Sequence, residues 1–175
     1  MEFIKTPIEG LFLIHHKILE DERGLFTRTF CKNEFSSIGF TKEFVQFNHS
    51  YNLLKGTVRG MHFQNAPFAE TKLIRCVEGS VYDVAVDLRK DSQTYLQYFG
   101  IELSKANINS ILIPEGFAHG FQTLENNTAL IYHHTAFYTP GADCGIRYDD
   151  PALHISWPLP VSKISTKDKN YPLIA

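Results

Sequence analysis

The 175-residue sequence predicts an all-β protein, a sandwich or barrel of short strands. Two observations carry this expectation. Short apolar runs are separated by turn signals at intervals of roughly ten residues. Aromatic residues make up 13% of the chain, mostly Phe and Tyr, which suits strands and a packed core. No repeat, linker or low-complexity segment interrupts the pattern, so one domain over 1–175 is expected.

Taken in order, Ile8–Leu19 reads as a strand, followed by a turn at Glu20-Asp21-Glu22-Arg23-Gly24 and a second strand at Leu25–Phe30. Lys32–Gly39 reads as a short helix with Asn33 as its cap and Gly39 as its stop. Phe44–Tyr51 is extended, with Gln46, Asn48 and Ser50 on one face of an alternation. Lys72–Val77 and Val81–Leu88 read as a hairpin around Glu78-Gly79-Ser80. Within its second strand Tyr82, Val84, Val86 and Leu88 share one face, and Asp83, Ala85 and Asp87 share the other. Gln97–Leu103 and Asn109–Ile113 are further strands, and Phe117–Leu124 is expected to pair with Ala129–Phe137 across Glu125-Asn126-Asn127. From Asp149 the chain carries Pro151, Pro158, Pro160 and Pro172 and is expected to wrap the surface as a 149–175 segment. Ser165, three residues before Asp168, marks a helical turn there.

Composition excludes several function classes. A net charge of −2 gives no basic field for nucleic acid. No run approaches the ~18 apolar residues of a membrane span. Cys31, Cys76 and Cys144 form no CxxC pair, and the first residues do not read as a signal peptide. These features point to a reducing compartment, the cytoplasm.

Two stretches carry the chemistry. Gly56-Thr57-Val58-Arg59-Gly60-Met61-His62-Phe63-Gln64 answers Pro114-Glu115-Gly116-Phe117-Ala118-His119-Gly120-Phe121 from far along the chain. A metal-binding barrel of the cupin type carries an HxH pair in the first motif, but here His62 is followed by Phe63 and Gln64. An amide is a poor ligand, and Glu70 alone does not complete a set, so no metal and no cofactor are expected. His62 suits a proton-abstracting base. Arg59, Lys72, His119 and Arg23 add cationic groups that would meet an anionic ligand, and arginine matches phosphate oxygens. Arg59 and His62 are three apart, so strict alternation points them to opposite faces. A bulge at Gly60 would bring both to one pocket.

The chain resembles the dTDP-4-dehydrorhamnose 3,5-epimerase family almost end to end. The likeness rests on Asp21-Glu22-Arg23-Gly24-Leu25-Phe26, Gln46-x-Asn48-x-Ser50, the 56–64 stretch, Lys72-Leu73-Ile74-Arg75, residues 79–89, residues 113–121 and Gly145-Ile146-Arg147-Tyr148-Asp149-Asp150-Pro151. The resemblance implies a cupin-like jelly-roll β-barrel with short peripheral helices, a metal-free homodimer, and a dTDP-linked 4-keto-6-deoxyhexose as substrate. It implies that His62 is the base, Asp168 its orienting partner, Tyr132 the acid on the opposite face and Lys72 the holder of the enolate oxygen. Arg23, Phe26, Gln46, Asn48, Arg59, Gln64, His119, Asp143 and Lys167 match binding positions, and Tyr138 matches an aromatic that stacks on the base. An exchanged N-terminal strand would carry Arg23 into a partner's pocket. Asp83 and His119 form a possible second carboxylate–imidazole pair. Arg28 stands where the family usually has Glu, Asp143 where Glu is common, and Tyr148 where Trp is frequent. The reversed charge at Arg28 leaves the nucleobase open. A single-position epimerase and a non-catalytic sugar-nucleotide-binding cupin remain alternatives, as does a metal-dependent oxygenase.

Overall fold

The structure, a computed structural model, describes residues 1–174. One sheet runs in the order β1 (Glu2–Lys5), β2 (Phe12–His15), β10 (Ser110–Ile113), β7 (Lys72–Glu78), β12 (Thr128–His134), β5 (Gln46–Asn52). The other runs β13 (Asp143–Gly145), β6 (Val58–Gln64), β11 (Phe117–Thr123), β8 (Ser80–Asp87), β9 (Tyr98–Ser104). A separate hairpin joins β3 (Ile18–Asp21) to β4 (Gly24–Thr27). The helices are short: α1 (Lys32–Ser36) and α2 (Thr166–Lys169). This is the all-β jelly roll that the sequence predicts.

Two expected hairpins are absent. β7 and β8 lie in different sheets, as do β11 and β12. Gly79, at φ +67°, reverses the chain, but into the facing sheet. Strand and turn signals mark where a strand ends, not which neighbour it joins. Further differences are local. Ile8–Leu19 divides into β2 and β3, with His16 and Lys17 between them. An unexpected strand, β1, precedes them. The cap of α1 is Cys31, without a side-chain hydrogen bond, and Asn33 lies inside the helix. Packing holds this helix instead: Phe35 is fully buried against Ile14, Leu73 and Leu112 on the outer face of the larger sheet.

The main core lies between the sheets. Ile74, Ile111 and Leu130 from the larger sheet meet Val81, Leu103 and Phe121 from the smaller one. Each such side chain contributes about 1.5–3 kcal/mol on burial. β8 is buried on both faces. Val81, Asp83 and Ala85 point inward, while Val84 and Val86 pack outward beneath Ile146, Leu153 and Trp157. Leu153, Ile155 and Trp157 from the C-terminal segment thus cover part of the outer face of the smaller sheet.

β6 bends where expected. His62 lies opposite His119 and Arg59 opposite Phe121, so Gly60 and Met61 together face the single residue Gly120. Gly60 has φ +133°, and a Cβ there would stand 2.6 Å from the Cα of Gly120. Replacing Gly60 with Ala is expected to cost about 2–4 kcal/mol, from backbone strain and the clash together. Urea unfolding measures this, and a cost below about 1 kcal/mol would show that the bulge tolerates a side chain.

Candidate active site

A cavity of about 610 Å³ opens between the two sheets. The bulge brings Arg59 and His62 onto one wall from β6, joined by His119 from β11. Lys72, Tyr132 and Asn48 come from β7, β12 and β5 on the facing wall. α2 closes the side, with Lys163 pairing to Thr57 just before it. Ser165 caps α2 by accepting the Asp168 N–H at 3.0 Å, and this turns the Asp168 carboxylate toward β6.

Asp168 makes the central contact. Its Oδ1 accepts from His62 Nε2 at 2.8 Å, and its Oδ2 accepts from the Gly60 N–H at 3.1 Å. Burial pushes the carboxyl up, but the His62 hydrogen bond and charge, with the Gly60 N–H, outweigh it and hold it below the usual range. With Nε2 engaged, Nδ1 is the histidine nitrogen left for a ligand. The edge of Tyr171 packs on His62 with ring centroids 5.8 Å apart. Tyr171 fits because Gly145 has no side chain: a Cβ there would lie 2.3 Å from the ring.

Two further imidazole–carboxylate pairs line the same cavity. His119 Nε2 lies 2.9 Å from Asp83 Oδ2, and His134 Nδ1 lies 2.8 Å from Glu70 Oε2. The second pair continues in both directions. Asn48 Nδ2 donates to His134 Nε2 at 3.2 Å, and Lys72 Nζ sits 3.3 Å from Glu70 Oε1 and donates to the His62 carbonyl at 3.2 Å. Burial lowers the pKa of Lys72, partly offset by the charges of Glu70 and Asp83. Burial pushes the Tyr132 phenol far above its usual value, although the hydrogen bond with Ser50 Oγ at 3.1 Å works the other way. The phenol is therefore held protonated. Among the described residues no three His, Cys, Asp or Glu side chains converge as a metal cage.

The predicted site residues mostly converge. Tyr138, Asp143 and Lys167 form the mouth: Tyr138 Oη lies 3.3 Å from Asp143 Oδ1, and Lys167 Nζ lies 2.5 Å from Asp143 Oδ2. Gln46 accepts the Tyr138 N–H at 2.9 Å. Gln64 also lines the cavity, with its amide engaged by the protein. Its amide donates to the carbonyls of Phe68 and Phe137 and accepts from the Thr139 N–H, so it fixes the loop that bears Tyr138. Arg23 and Phe26 are not brought to this cavity: they sit on the β3–β4 hairpin, where the Arg23 side chain is 83% exposed and Phe26 is 68% exposed. Arg28 pairs with Glu34 at 2.9 Å, also away from the cavity.

Glu70, His134 and Tyr171 line the cavity and were not among the predicted residues. His134 was legible, since it is two residues beyond Tyr132 on one strand and so shares its face. Glu70 and Tyr171 lie outside strands, where the sequence carries no period to place them.

The depressed pKa of Asp168 makes stability depend on pH. Its unfolded value is about 3.9, so the ionised carboxylate contributes fully above that pH, and the contribution is lost as pH falls through the lower native value. The difference in urea stability between wild type and Asp168→Asn is expected to be widest near neutrality and to shrink below about pH 4. A difference that held constant down to about pH 2.5 would assign it to packing instead of charge.

Comparison with known proteins finds relatives over nearly the whole chain. The sequence pattern of the family described as dTDP-4-dehydrorhamnose 3,5-epimerase matches residues 5–175. The dTDP-4-dehydrorhamnose 3,5-epimerase of Shigella flexneri is 42% identical over 97% of this chain and 94% of its own. The crystal structure of the Bacillus anthracis enzyme of that name, with TDP and PPi bound, superposes with a TM-score of 0.96 at 42% identity, covering 99% of each chain. The dTDP-6-deoxy-D-glucose-3,5-epimerase of Legionella pneumophila, in complex with dTDP-4-keto-L-rhamnose, gives a TM-score of 0.93 at 40% identity, covering 98% of this chain and 92% of that one. The fold, the cavity and these matches over nearly the whole length show that the chain belongs to the dTDP-4-dehydrorhamnose 3,5-epimerase family.

Proposed function

We propose that the protein is an isomerase that inverts C3 and C5 of dTDP-4-dehydro-6-deoxy-D-glucose, giving dTDP-4-dehydro-L-rhamnose. The observation that carries this reading is a carboxylate-backed histidine and a protonated phenol on opposite sheets, facing one cavity. Inversion needs that arrangement, because one group removes a proton from one face of the sugar and another returns it to the other face.

The steps follow from the residues. His62 Nδ1 takes the proton from the carbon next to the 4-keto group, and Asp168 stabilises the imidazolium that forms. The C–H electron pair moves into an enolate, whose oxygen meets the Lys72 ammonium. Tyr132 gives its phenolic proton to the opposite face of that carbon. Exchange with solvent then restores His62 and Tyr132. The nucleotide lies toward the mouth, with Arg59 and Lys167 toward the diphosphate and Tyr138 against the base. Gln46, Asn48 and Asp143 complete the polar wall.

The functional unit in this reading is a dimer of the chain. Ile18, Leu19, Leu25 and Phe26 are exposed together on the β3–β4 hairpin, and Phe47 and Tyr51 are exposed on the edge strand β5. An apolar hairpin beside an open sheet edge is suited to strand exchange with a second copy. Exchange would carry Arg23 and Phe26 into the partner's cavity.

Solvent exchange tests the chemistry. In D2O, dTDP-4-dehydro-6-deoxy-D-glucose is expected to acquire deuterium at both C3 and C5. Substituting His62→Ala should slow incorporation by about a thousandfold or more. Tyr132→Phe should still incorporate deuterium but form little inverted product. Absence of label at both carbons would sink the proposal, and label at one carbon alone would select a single-position epimerase. Exchange of subunits tests the dimer. Mixing inactive Arg23→Ala chains with inactive His62→Ala chains should restore activity, because one cavity of each mixed dimer is then intact. No recovery, with mixed dimers verified by mass, would show that Arg23 does not serve the partner's cavity.

A further inference from the structure

Asp83 is a charged group that the proposed steps do not use. It is fully buried on the inward face of β8, in an interior otherwise built from Val81, Ala85 and Phe121. Burying a carboxylate is strongly unfavourable unless partners compensate it. Among the described residues only one of its oxygens has a partner: Oδ2 lies 2.9 Å from His119 Nε2, while Oδ1 is buried without one. The strand register builds this contact. Asp83 lies opposite Phe121 and His119 opposite Ala85, so the pair meets on a diagonal, and the small Ala85 leaves room for the ring.

We propose that Asp83 is a positioning residue that acts through His119, holding it as the Nε2–H tautomer so that Nδ1 accepts a hydrogen bond from a hydroxyl of the bound sugar. An ionised carboxylate is an acceptor only, so it selects the tautomer whose Nε2 carries the hydrogen. Burial lowers the pKa of His119, and this outweighs the opposing charge of Asp83, so the ring is neutral. A neutral ring that donates through Nε2 has a lone pair at Nδ1, which recognises a hydroxyl and not a phosphate oxygen. His119 is therefore not one of the cations gathered for the diphosphate, as the sequence alone suggests. Its position agrees. It lines the cavity opposite His62 in the β6–β11 register, and its ring meets Tyr132 at 6.1 Å between centroids. These are the residues of the deep, reacting end.

The tautomer stands on the protein's own geometry, and only the identity of the donor as a sugar hydroxyl rests on the proposed epimerase activity. The test separates the two. ¹⁵N-histidine NMR of the substrate-free protein at neutral pH, with His119 assigned by a His119→Gln variant, should show Nε2 protonated and Nδ1 bare. Two protonated nitrogens, or the reverse tautomer, would overturn the proposal whatever the activity. In Asp83→Asn the amide can donate as well as accept, so His119 should populate both tautomers. Its kcat/KM with dTDP-4-dehydro-6-deoxy-D-glucose should then fall by about tenfold, mostly through KM. An unchanged KM alongside a changed tautomer would mean that no sugar hydroxyl reaches Nδ1. Deuterium incorporation by the unsubstituted enzyme reports on the activity independently. The NMR of the unsubstituted chain needs no variant at Asp83, so a failure of Asp83→Asn to fold leaves that test in place.

Discussion

The arrangement of this cavity depends on one carboxylate. Asp168 bridges the Gly60 N–H in the bulge of β6 and the His62 ring two residues further on. The first contact satisfies a backbone donor that the bulge removes from the strand ladder. The second orients a side chain that the same bulge has turned into the cavity. Backbone distortion and histidine orientation are thus fixed by the same group. That group arrives from the far end of the chain, on a four-residue helix held by the Ser165 cap. A helix this short has little stability of its own. Its place comes from the Thr57–Lys163 bridge before it and the packing of Tyr171 over Gly145 after it.

Inside the cavity the imidazoles and the lysine each have a carboxylate partner before any ligand enters. His62, His119 and His134 each have their own carboxylate, and Glu70 is shared with Lys72. At the mouth Lys167 is matched by Asp143. Arg59 is the exception: its guanidinium donates to Asn52 Oδ1 at 2.6 Å and approaches the Tyr51 carbonyl, both neutral acceptors. An arginine without a carboxylate partner among the described residues is a specific attractor for an anion, with a planar fork suited to phosphate oxygens. A general excess of positive charge would bind anions less selectively and would cost more in self-repulsion.

Much of this was legible in the sequence, and the limits have physical causes. Strands and turns could be placed because period-two patterning and turn chemistry are local. Partners could not, because β7 and β8 carry the same signals whether Gly79 joins them within one sheet or across two. The bulge at Gly60 was legible because Arg59 and His62 cannot share a face three residues apart without one. The diagonal contact of Asp83 with His119 was foreseen only as one of two possibilities, since β8 is buried on both faces and alternation alone does not tell interior from surface. Residues on loops, Glu70 and Tyr171, gave no signal, since nothing in their local sequence fixes their direction. Arg23 and Phe26 were legible as motif but not as geometry, because their hairpin does not meet the cavity of its own chain.

The two sheets divide the chemistry between them. The smaller sheet, with part of its outer face under the C-terminal segment, carries His62 and His119, each backed by a carboxylate. The larger sheet carries Lys72 and Tyr132. For Tyr132 the partner is the neutral hydroxyl of Ser50, not a base, and burial outweighs that hydrogen bond and keeps the proton on the phenol. For His62 the partner is the Asp168 carboxylate, which engages Nε2 and orients the ring. In the proposed reaction the two groups stand on different sheets, so a proton removed by His62 leaves toward the smaller sheet and one returned by Tyr132 comes from the larger.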